Sequence, residues 1–190
     1  FGGWEMVLVG AACVLFCFLY TTLLAQHGMG DVLVLLFFGL VPVCLTYYVI
    51  LPPASQTITA QVVWASLACG LVIDTLLVVN NYRDYDQDRA VGKKTLIVRI
   101  GRERAEQLYG WLGNIATYMM WGCLVLGDSS FVLMLVCFAC FVPYALLHGA
   151  TRAQMRRIGR GRELNKVLGM TARNMFVFGV TTAIVTLFIL

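Results

Sequence analysis

Charge is what this sequence has least of. Only 13% of its 190 residues are charged, against about 25% in soluble globular domains, and mean hydropathy is +0.81. That composition excludes an ordinary soluble domain and predicts an all-α polytopic membrane protein, whose helices satisfy their own backbone in lipid. Histidine is scarce too, at 2 residues. The 7 cysteines lie in apolar runs: Cys13 and Cys17 share a helix face, and Cys137 and Cys140 form a CxxC without a neighbouring histidine. They read as packing residues rather than a zinc or redox site. The chain starts at Phe1 and has neither a basic start nor a signal cleavage site. It is therefore expected to be processed or to be part of something longer.

Six apolar stretches fit the length needed to cross a hydrocarbon core of about 30 Å. They cover residues 6–24, 32–51, 58–79, 108–126, 131–147 and 174–190. Pro42 inside the second predicts a kink, and Pro52-Pro53 ends it. Residues 26–31 form a turn in which His27 reads as a turn residue. Tyr48 and its neighbours Thr46 and Tyr47 follow Pro42. They fit interhelical hydrogen bonding or, through the aromatic rings, shielding of a cation in a neighbouring cavity.

Basic residues are absent from most connections. All 14 lysines and arginines lie in two segments, 83–104 and 152–173. The positive-inside rule assigns both to the cytoplasmic side of the cell membrane. The net charge of +4 thus reads as topology and attraction to anionic lipid or diphosphate, with no nucleic-acid partner implied. The halves share no repeat beyond these charge sets.

The first basic segment also carries carboxylates that packing does not require. Asp84 and Asp88 are four residues apart, so on a continuing helix they share a face about 6 Å apart along the axis. Two acids so placed repel unless a divalent cation lies between them. An oxygen-only ligand set suits Mg2+, which completes its shell with water and substrate phosphate. Lys93, Lys94 and Arg83 are positioned to meet that phosphate. The bland alternative is a solvated loop with helix-end charge pairs. Asp74, inside the third span, recurs at seven-residue intervals with Asn81 and Asp88, predicting one polar stripe along a cavity. Asp74 is open to three roles: orienting an asparagine, binding an acceptor hydroxyl, or pairing with a neighbouring helix.

Read as N-N-x-R-D-x-x-x-D-x-x-x-G-K-x-T-L-x-V-R-x-G over residues 80–101, this segment resembles the second aspartate-rich motif of the UbiA superfamily of intramembrane prenyltransferases. Asn80, Asn81 and Arg83 are most similar to the branch that prenylates 1,4-dihydroxy-2-naphthoate in menaquinone synthesis. Weaker echoes occur in residues 46–49, 164–165 and 171–173. The resemblance implies nine helices around a central cavity, of which this chain matches helices four to nine. It also implies a first aspartate-rich motif, upstream of this one, which these 190 residues lack. The chain alone is then expected to hold half a site and be inactive, the rest coming from N-terminal helices or a partner.

The implied partners are the lipid bilayer, a polyprenyl diphosphate and dihydroxynaphthoate. The implied reaction is aromatic substitution with loss of the carboxylate, giving a demethylmenaquinone quinol. Asp84 and Asp88 are implied Mg2+ ligands, with Lys93, Arg83 and Lys94 on diphosphate and Asn80 or Asn81 positioning a ligand or water. Another aromatic acceptor, such as 4-hydroxybenzoate, is the alternative within this chemistry. A transporter subunit that binds its coupling ion at Asp74 is the alternative outside it.

Overall fold

The computed structural model describes residues 3–19, 28–125 and 130–188, and every regular element among them is helical. Six long helices run as α1 (Gly3–Leu19), α2 (Gly30–Ile50), α3 (Ala60–Arg83), α6 (Arg102–Val125), α7 (Phe131–Ile158) and α8 (Leu164–Phe188). Two short helices, α4 (Tyr85–Ala90) and α5 (Leu96–Ile100), lie between α3 and α6. Among the described residues, α2, α3, α7 and α8 are long and apolar enough to cross a membrane, whereas α1 is apolar but shorter. The chain is an all-helical, polytopic membrane protein. Residues 20–27, which hold Gln26 and His27 of the expected first turn, lie outside the described residues.

Pro42 acts as its chemistry dictates. It has no N–H and crowds the preceding turn, and just before it Leu35–Leu40 widen into a π-helix in which the Val41 N–H reaches Leu36 O. Leu51 then turns to extended backbone before the two prolines. Thr59 restarts the chain as N-cap of α3, accepting from the Val62 N–H at 3.4 Å.

Helix α3 is the central member and packs against α2, α6 and α8. Small residues set its approach to α2. A Cβ added at Gly39 would stand 2.8 Å from both Gly70 Cα and Ser66 O, so the two backbones touch where only hydrogen fits. Gly39→Ala is expected to cost about 1–3 kcal/mol through overpacking. It should appear as a lower unfolding midpoint in detergent, with Gly122→Ala, where nothing lies within 4 Å, as an unaffected control.

The helices outrun the apolar stretches at one end of the bundle. The expected second basic loop, 148–173, is mostly helix: α7 continues to Ile158, α8 starts at Leu164, and only 159–163 connect them. Arginine and lysine are good helix formers, and Thr151, Met155, Leu164, Val167 and Thr171 remain buried, so packing continues where hydropathy falls. The turn uses Gly159 and Gly161 at φ +68° and +89°. Helix α6 likewise starts at Arg102, earlier than hydropathy predicts.

Candidate functional site

Helix α3 delivers the aspartate-rich segment to this end. It stops at Arg83 because Asp84 adopts φ −88°, ψ 4°, outside regular helix. The hydrogen-bond ladder nevertheless crosses the break, with the Asp84 N–H on Asn80 O at 3.1 Å and the Asp88 N–H on Asp84 O at 2.8 Å. Asp84 and Asp88 therefore keep a one-turn relation although the long helix itself does not continue through them.

Each carboxylate meets a cation of the same segment. Arg83 grips Asp84 with two parallel bonds, Nε to Oδ1 at 2.7 Å and Nη2 to Oδ2 at 2.8 Å. Its Nη2 also donates to Asn80 Oδ1 at 2.8 Å, and its Nη1 to Asn165 Oδ1 on α8 at 3.0 Å. This bond to Arg83 holds the Asp84 carboxyl below the usual carboxylate range. The depressed value means that the pair is intact at neutral pH and is lost only as pH falls through that value. Lys93 Nζ reaches Asp88 Oδ1 at 3.2 Å, and the Lys93 N–H bonds Asp88 O at 2.9 Å, while Asp88 is buried. Lys94 is exposed and Asn81 half-buried.

Arg102 pins this segment to the bundle. Its Nη1 donates to Tyr82 O at 3.2 Å and Gly159 O at 2.6 Å, and its Nη2 pairs with Asp86 at 2.9 Å. The guanidinium also lies 4.9 Å from the ring centres of both Tyr82 and Tyr85. The turn before α2 presses on the same segment, because a Cβ on Gly28, at φ +74°, would collide with the Lys94 carbonyl oxygen. Gly28→Ala is expected to strain this contact and cost about 1–3 kcal/mol, seen as a lower unfolding midpoint of the full-length protein in detergent.

Below the ion pairs lies a cavity of about 880 Å³, walled by Leu33, Val34, Ile73, Leu77 and Leu168 among others, with Asn80 as its amide. The expected polar stripe is therefore corrected. The cavity face of α3 is Ile73, Leu76, Leu77 and Asn80, while Asp74 is buried to 3% exposure and does not line that cavity. The break at Asp84 also moves Asp88 onto another helix. Tyr48 is not brought to this site either. It lies toward the opposite end of α2, where its Oη donates to Glu5 Oε2 at 3.5 Å.

No group of three or more histidine, cysteine or acidic side chains able to hold a metal occurs among the described residues. Asp84 and Asp88 nevertheless fit a hard cation by chemistry: both are carboxylates, one turn apart. As a pair they would supply part of a metal shell.

Sequence reasoning gave Asn165 only an echo and missed a buried polar group joining α6, α7 and α8. Tyr109 stacks on His148 at 4.4 Å, His148 Nε2 lies 3.0 Å from Tyr109 O, and Tyr109 Oη lies 3.1 Å from Thr171 Oγ1. Asn174 donates to Thr151 Oγ1 at 2.8 Å. The signal was present as Tyr144, His148 and Thr151, spaced four and then three residues apart in apolar sequence.

The profile of the UbiA prenyltransferase family matches residues 1–166. A 1,4-dihydroxy-2-naphthoate octaprenyltransferase of Mycobacterium tuberculosis is 35% identical over 187 residues, covering 94% of this chain and 58% of its own length. The protein of that name from Mycobacterium leprae is 34% identical over 188 residues, with the same coverages. Its Escherichia coli namesake is 33% identical over 119 residues, covering 63% of this chain and 32% of its own. The chain thus spans between a third and three-fifths of these relatives. No solved structure matches it significantly.

Proposed function

This chain belongs to the UbiA prenyltransferase family, and from that premise we propose that the protein transfers a polyprenyl group from its diphosphate to 1,4-dihydroxy-2-naphthoate, with loss of the ring carboxylate, to give demethylmenaquinol. The observation that carries this reading is one juxtaposition. The Arg83–Asp84 pair is joined through Asn80 to the wall of an apolar cavity of about 880 Å³, and the Asp88–Lys93 pair follows one turn further along the chain. Diphosphate chemistry needs the ion pairs and an isoprenoid tail the cavity. The names of the relatives favour naphthoate as acceptor.

In this reading Asp84 and Asp88 hold Mg2+, which when bound neutralises charge on the diphosphate. Arg83 and Lys93 turn from their aspartates to phosphate oxygens, and Lys94 adds charge from the surface. Asn80, at the cavity wall, orients the allylic carbon or a water, with Asn81 beside it. The apolar wall keeps water from the allylic cation. Asp74 faces the acceptor rather than the diphosphate. The remaining metal ligands come from N-terminal helices outside these 190 residues or from a partner chain, and the 190 residues alone are inactive. The ion-paired end lies on the cytoplasmic side of the cell membrane.

The test is mass spectrometry of products from the full-length protein in detergent, given Mg2+, polyprenyl diphosphate, and dihydroxynaphthoate competing with 4-hydroxybenzoate. A decarboxylated prenyl-naphthoquinol is the expected product. Prenylated hydroxybenzoate would reassign the acceptor, and no product from folded protein would overturn the reading.

A further inference from the structure

Asp31 and Asp74 are the two buried acids that the ion pairs leave unused. Asp31 opens α2 at 8% exposure and Asp74 sits in α3 at 3%. Each has an Oδ1 shut off from solvent with no hydrogen-bond partner among the described residues. Neither takes part in the ion pairs found there. Both lie where the start of α2 packs on α3: a Cβ on Gly30 would touch Leu77, within a turn of Asp74, at 3.4 Å. Leu33 and Val34 of α2 and Ile73 and Leu77 of α3, near neighbours of these acids in sequence, line the apolar cavity, so the two acids lie beside its wall.

Two carboxyls buried together share at most one proton, so acceptor oxygens are left over. Carboxylates this deep are costly to keep without a donor, and among the described residues no cation pairs with either. Position along α3 says what supplies the donor. From Asp74 to Asp84 the helix rises about 15 Å at 1.5 Å per residue. That is room for a metal-bound diphosphate, the allylic carbon it leaves, and one aromatic ring.

We propose that Asp31 and Asp74 form the subsite that accepts hydrogen bonds from the phenolic hydroxyls of the aromatic acceptor, fixing its ring beneath the diphosphate while the isoprenoid tail takes the apolar cavity. This rests on the prenyl-transfer reading above and adds to it an acceptor site built from α2 and α3. A site that hydrogen-bonds a hydroxyl discriminates sharply against the analogue lacking it, because its own buried acceptors are then left unpaired.

The experiment titrates full-length protein in detergent with 1,4-dihydroxy-2-naphthoate and, separately, with 2-naphthoate, which has no hydroxyls, following intrinsic fluorescence without prenyl diphosphate. Wild type is expected to prefer the dihydroxy compound by about 10²-fold, and Asp31→Asn and Asp74→Asn each to reduce that preference about tenfold. Binding of inorganic diphosphate with Mg2+ should stay within about twofold of wild type, since the ion-paired end is untouched. Equal wild-type affinity for the two naphthoates, or full preference in both variants, overturns the subsite. If a variant loses diphosphate binding and so proves misfolded, the wild-type comparison and Asp74→Glu decide the matter. A wild type that prenylates no naphthoate brings down the functional reading itself, whereas a wild type that prenylates it without discriminating between these ligands brings down the subsite alone.

Discussion

Asp88→Asn is expected to lower prenyl transfer by about 10³-fold, in line with removing one charged stabiliser from a preorganised site. The substitution keeps the side chain's shape and removes only its charge. Asp88 is buried and its Oδ1 receives Lys93 at 3.2 Å, so the change costs the proposed metal ligand and releases the lysine from its place. Backbone geometry should survive, because the Asp88 N–H and carbonyl are tied to Asp84 O and the Lys93 N–H. Product formation in single-turnover mass spectrometry, with Mg2+ varied, reads the effect. Saturating Mg2+ should not restore the rate, and near-wild-type turnover would remove Asp88 from the metal site.

Replacing Arg83 is expected to be nearly as damaging, about 10²-fold, and Arg83→Lys should rescue little. Arg83 meets four side-chain oxygens at once, two on Asp84, one on Asn80 and one on Asn165. A planar guanidinium can satisfy that spread, whereas an ammonium on a flexible stem cannot. Because Asn165 belongs to α8, losing the fork also loosens the contact between the end of α3 and the start of α8. The expected signature is a raised half-saturation for prenyl diphosphate together with a lower maximal rate. A lysine variant with wild-type kinetics would mean that charge alone is needed there.

Much of this was legible without coordinates. Long apolar runs announce spanning helices because lipid leaves the backbone no other partner, and Asp84, Asp88 and Lys93 stood out against an apolar background. What escaped the sequence lies where polar residues are ordered by packing. Hydropathy drops at 148–173, yet α7 and α8 continue because Thr151, Met155 and Leu164 are still covered. The bend at Asp84 is one residue wide, too short for a periodicity argument that treats α3 as straight. Tyr48 was grouped with the site by residue type, but the rise of α2 carries it toward the other end. Asp31 read as part of a turn, whereas α2 already starts at Gly30 and buries it, a tertiary effect that no local pattern reports.

The Arg102 pin sets a timetable for making the protein. The segment 80–101 is synthesised well before its anchor, since the Gly159 carbonyl lies 57 residues after Arg102. At about 5–20 residues per second, roughly 3–11 s pass before the ribosome supplies that carbonyl. Until then the nascent chain displays three aspartates and their neighbouring cations without the cap that later orders them. Stalling, or truncation ahead of residue 159, would leave Arg102 its bonds to Tyr82 and Asp86 but not the one that ties this segment to the end of α7.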